Sequence, residues 1–97
     1  MIGVKDAVSS AYQYLQSVQN LIGDQLEDLR LEEVELSEDQ QSWLITLGYD
    51  IPVKNRSQIE ELLSPQNLSR KIFKREYKLF RVNSETGEVE AMKIRTV

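Results

Sequence analysis

Near the amino terminus the apolar positions are Val4, Val8, Ala11, Leu15, Val18 and Ile22, separated by four, three, four, three and four residues. That spacing places all six on one stripe of an α-helix. Tyr12 and Leu21 widen the stripe, while Lys5, Ser9, Gln16 and Asn20 face water. Gly23 follows as a residue able to take positive φ just past a helix end. The pattern predicts a helix over 3–22.

After Gly23 the period changes to two. Leu29 and Leu31 alternate with charged residues, the phase slips at Glu32 and Glu33, and alternation resumes at Val34 and Leu36. One inserted residue, a β-bulge, explains such a slip. Ser37–Gln41 is a polar turn, after which Trp43, Ile45, Leu47 and Tyr49 share one strand face and Leu44, Thr46 and Gly48 the other. A second hairpin is predicted from Ile72–Val82 and Val89–Val97, the latter slipping at Ala91 and Met92. Its turn is NSETG, where Gly87 suits the positive φ of a type I turn with a G1 bulge and Asn83 can accept bonds from the backbone just ahead of it. Between the hairpins, Pro52 and Pro65 bracket polar sequence in 50–71. Ser57 and Glu60 there have capping-box spacing, followed by Ile59, Leu62 and Leu63 within a short second helix that Pro65 ends. The expected fold is α+β in a single domain, 1–97, with one N-terminal helix packed on a four-stranded antiparallel sheet.

Apolar residues occur on both faces of these strands. Ile72, Phe80 and Val82 lie on the phase opposite Phe73, Tyr77 and Leu79, and Leu44 opposes the Trp43–Tyr49 set. A helix covers one face. The 50–71 connection, bringing Ile59, Leu62 and Leu63, is expected to cover the second; the alternative cover is a partner or a second copy.

Composition narrows the chemistry. The 97 residues are 40% hydrophobic and 29% charged with a net charge of −4, which suits a folded chain. Histidine and cysteine are absent, excluding disulfides, thiolate and imidazole catalysis, and nearly all zinc, copper and haem binding. Phosphate-binding and dinucleotide-binding glycine motifs are missing, so neither catalysis nor a cofactor is expected. MIGVKDAVSS carries no apolar core of a signal sequence, and a cytoplasmic setting is expected. Adjacent acids such as Glu27–Asp28, Glu32–Glu33 and Glu60–Glu61 read as solvated charges, since neighbours on a strand point to opposite faces. SEDQQS lacks the glycine and spacing of a calcium loop.

Charge is polarised along the chain. Residues 24–39 hold eight acids against Arg30, and residues 70–81 hold six cations against Glu76. Glu33 or Glu35 is expected to meet Lys74 or Lys78 across the sheet, two strand spacings of about 5 Å each apart. Lys71, Lys74, Arg75, Lys78 and Arg81, interleaved with Phe73, Tyr77 and Phe80, also have the composition of a single-strand nucleic-acid surface, although the acidity of the whole chain opposes that reading. A third reading is a pocket for a small apolar ligand between helix and sheet.

The order helix, hairpin, then YKLFRVNSETGEVEAMKIR resembles PepSY-like domains and the wider cystatin-like group, in which Y-x-V-x-x-D-x-x-T-G-x-V recurs. Tyr77, Phe80 or Val82, Thr86, Gly87 and Val89 occupy comparable places, with Asn83 where aspartate is common. The resemblance implies a helix on an antiparallel sheet and a non-catalytic binding or inhibitory module. The expected function is therefore protein contact, with an unidentified partner or as a homodimer, through the sheet face or an edge strand. Trp43, Tyr49, Tyr77 and Phe80 are the expected interface residues, because aromatics supply much of the contact energy at interfaces.

Overall fold

The computed structural model describes residues 1–22, 26–52 and 73–95. Helix α1 spans Val4–Ile22, and strands β1 (Glu27–Leu36), β2 (Ser42–Pro52), β3 (Phe73–Asn83) and β4 (Val89–Ile94) follow. The strands form one sheet in the order β1-β2-β3-β4, each antiparallel to its neighbour. This is the α+β arrangement expected. The connection in which a short second helix was expected lies outside the described residues, as do Gly23 and Ile72.

The core forms where the α1 stripe meets the two central strands. Ala7, Ala11 and Leu15 are buried on the helix, against Ile45, Leu47 and Tyr49 of β2 and Phe80 and Val82 of β3. The register pairs Ile45 with Phe80 and Trp43 with Val82, so α1 takes the Phe80–Val82 face of β3. Ala7 and Ala11 let the helix backbone approach closely, and Leu15 fills the space one turn on. Burying each large apolar side chain contributes about 1.5–3 kcal/mol.

Three irregularities shape the outer strands. Leu31 pairs with Leu47 but Glu33 with Thr46, leaving Glu32 as the inserted residue of the expected bulge. A second shift lies between Glu27 and Arg30, where Asp28 takes φ of 53°. In β4, Arg81 pairs with Ala91 and Val82 with Val89. Glu90 is thus the extra residue, placing this slip just before the Ala91–Met92 position read from the pattern.

The NSETG turn has the chemistry its residues promise, with a wider closure. Asn83 Oδ1 accepts the backbone N–H groups of Glu85 at 2.8 Å and Thr86 at 3.0 Å. The Gly87 N–H donates to the Asn83 carbonyl at 2.9 Å, one residue further than a type I turn would close, and Gly87 has φ of 77°. The two hairpin turns are also joined. The Ser84 N–H donates to the Gln41 carbonyl at 2.9 Å and its hydroxyl to the Gln40 carbonyl at 2.8 Å. The Ile2 N–H donates to the Ser84 carbonyl, and Trp43 Nε1–H donates to the Ile2 carbonyl at 3.2 Å. This end of the sheet therefore anchors the start of α1.

Gly87→Ala is expected to destabilise the fold by about 1–2 kcal/mol, the cost of left-handed backbone for a residue with a Cβ. A lower urea midpoint at unchanged slope is the expected result; an unchanged midpoint would contradict the assignment.

Candidate functional site

Strand alternation sorts the polar residues into two surfaces. On the face away from α1, Leu44, Thr46, Gly48 and Asp50 of β2 lie beside Arg81, Leu79, Tyr77 and Arg75 of β3. Arg75 dominates this face. Its Nη2 donates to Glu32 Oε1 at 2.7 Å; its Nη1 donates to Asp50 Oδ1 at 3.2 Å and to the Asp28 carbonyl at 3.0 Å. A weaker contact reaches Asp28 Oδ2 at 3.4 Å. The Glu32–Arg75 pair passes over Gly48: a Cβ there would stand 2.7 Å from Glu32 Oε1 and 3.1 Å from Arg75 Nη2. A side chain at position 48 would therefore push the Glu32 carboxylate away from Arg75.

A second arginine repeats the arrangement. Arg95, just past β4, donates from Nη1 to Thr46 Oγ1 at 2.7 Å and from Nη2 to Glu33 Oε2 at 3.1 Å. Neutralisation of the acidic strand across the sheet is thus real, but Arg75 and Arg95 accomplish it, not Lys74 or Lys78. The reason is alternation: Lys74 pairs with Ile51 and Lys78 with Leu47, which puts both on the α1 side. The guanidinium fork also bridges several acceptors where an ammonium acts as a point charge.

The same alternation divides the proposed basic surface. Arg75 and Arg81 are on the face away from α1, Lys74 and Lys78 on the α1 side, and Lys71 lies outside the described residues. Arg75 is already committed to carboxylates. The aromatic interface set divides too. Tyr49 is 1% and Phe80 0% exposed, so both are core residues rather than contact residues. Trp43 is half-buried with its N–H engaged by Ile2, and Tyr77 is half-buried opposite Gly48 on the face away from α1.

The surface that the sequence reading missed is the α1 side of β1. Leu31 and Val34 pair with Leu47 and Ile45 and so point toward the helix side, yet they are 43% and 38% exposed. A helix is about 10 Å wide and strands lie about 4.8 Å apart, so one helix covers about two strands. Here those are the central ones, and the outer strands keep uncovered apolar residues. The relative widths of one helix and four strands were the signal available from sequence.

Electrostatics favour ionised acids. The hydrogen bond from Arg30 holds the Asp28 carboxyl below its ordinary value; partial desolvation opposes this, and the charges of Arg30 and Arg75 add to the lowering. Asp39 is lowered by the Ser37 hydroxyl and then by the Gln41 N–H, within the first turn. A groove of about 280 Å³ runs beside Arg75, Tyr77, Lys78, Ile94 and Arg95, outside the core. Among the described residues, no cluster of acids is arranged to hold a metal ion and no helix is long and apolar enough to cross a membrane. No family model, curated protein or solved structure matches the chain.

Gly48→Ala is expected to cost about 0.5–1.5 kcal/mol, because the added Cβ displaces the Glu32 carboxylate from its hydrogen bond with Arg75. In Arg75→Met the same change should cost less, a coupling read from a double-mutant cycle; strict additivity would remove Arg75 from the explanation. Because folding lowers the Asp28 pKa, its contribution is complete above the unfolded value near 4 and is lost as pH falls through the folded one. Urea midpoints measured from pH 7 to pH 2 should therefore fall less below pH of about 4 in Asp28→Asn than in the parent chain.

Proposed function

We propose that this protein works without catalysis, as a small cytoplasmic protein-interaction module whose contact surface is the outer strand β1. The observation that carries this is the exposure of Leu31 and Val34 beside a strand that, among the described residues, is paired along one edge. Apolar side chains next to a strand edge unpaired among the described residues favour a protein partner. The order of helix and strands, with Asn83–Gly87 turning between β3 and β4, is compatible with the PepSY-like, cystatin-like reading and its binding role.

A homodimer formed away from β1 is the second reading, supported by Leu21 on α1 and Ile94 on β4, which are 85% and 80% exposed. Nucleic-acid binding is less well supported, because the cations divide between two faces. Light scattering at about 100 μM, a concentration that detects association of moderate affinity, separates the forms. Self-association predicts a mass that rises above 11.3 kDa with concentration and falls back in Leu21→Asp. A constant monomer mass rejects the homodimer and leaves a different protein as the partner.

A further inference from the structure

We propose that the edge of β1 left unpaired among the described residues takes an extended segment of a partner protein in which apolar residues alternate with lysine or arginine. The inference rests on the interaction-module reading and specifies its partner class.

Backbone polarity comes first. The Ser37 N–H donates to the Ser42 carbonyl at 2.8 Å, making these two a hydrogen-bonded pair. Antiparallel pairs alternate between bonded and non-bonded. Leu36–Trp43 is therefore non-bonded, Glu35–Leu44 bonded, Val34–Ile45 non-bonded and Glu33–Thr46 bonded. The N–H and C=O groups of Glu33 and Glu35 thus point to β2, while those of Val34 and Leu36 point outward. This four-residue run is regular, with the Glu32 bulge closing it on one side and the Ser37 turn on the other.

Side chains supply the specificity. Val34 and Leu36 present apolar groups on the α1 side; Glu33 and Glu35 present carboxylates on the other. A strand added at this edge meets one apolar row and one acidic row, and cations on its matching face complete opposite-charge pairs with the row it joins. Arg95 already holds Glu33 at 3.1 Å. Glu35 has no ion pair among the described residues, so it is the carboxylate that an incoming cation meets first. A second copy offering its own β1 would bring Glu33 and Glu35 against identical acids on the same face, about 5 Å away, which is repulsive. The edge thus rejects itself while accepting a basic strand.

The test is an NMR titration of the ¹⁵N-labelled full chain with three capped eight-residue peptides, (Val-Lys)₄, (Val-Thr)₄ and (Val-Glu)₄. The Val-Lys peptide is expected to shift the amides of Glu33–Leu36, about tenfold more tightly than Val-Thr at low salt, with the difference shrinking near 1 M salt as screening shortens to about 3 Å. In Glu35→Lys the order of Val-Lys and Val-Glu should narrow or reverse, a change of preference that loss of folding would not produce. Equal binding of Val-Thr and Val-Lys overturns the charge class but leaves an edge-binding module standing. Absence of β1 shifts with every peptide, or shifts centred on α1 or β4, overturns the proposed site. Shifts of Glu33–Leu36 on concentrating the chain without peptide would assign the edge to a second copy and overturn it as well.

Discussion

One helix and four strands do not match in width, and much of the architecture follows from that mismatch. The stripe through Ala7, Ala11 and Leu15 seals Ile45, Leu47, Tyr49, Phe80 and Val82. It cannot also seal β1 or the end of β4, and Leu31, Val34 and Ile94 keep their exposure for that reason. The strongest apolar packing therefore lies at the centre of the sheet, and the surface offered to other molecules lies at its margins.

Polar interactions hold what the helix does not reach. On the opposite face Arg75 ties β3 to the bulged part of β1 across a glycine, and Arg95 ties the end of β4 to Thr46 and Glu33. Individual pairs of this partly exposed kind contribute little each. Here each arginine spans two other strands, and losing Arg75 frees more than one carboxylate. At the far end, Ser84 and Ile2 link both hairpin turns to the start of α1 through backbone groups, which orients the helix over the central strands.

Residue types and spacing made the local structure legible. The interval pattern of Val4–Ile22 announced the helix, the slip at Glu32 announced its bulge, and Gly87 with Asn83 announced the second turn. Each depends on backbone sterics or periodicity within a few residues. The candidate surface was less legible. Tyr49 and Phe80 are aromatic in either a core or an interface, and composition does not say which side of the sheet the helix chooses. Lys74 and Arg75 are neighbours of like charge in the chain, yet they point to opposite faces.

By itself, then, the sequence determined the order of one helix and two hairpins, most turn and bulge positions, and a chain poor in catalytic groups, because these depend on short-range geometry and on which side chains exist. Tertiary structure alone decided that Phe80 lies beneath α1, that Arg75 rather than a lysine neutralises Glu32 across Gly48, and that Leu31 and Val34 remain uncovered. Those outcomes depend on strand register and on where a helix of finite width comes to rest, and both are settled between segments distant in the chain.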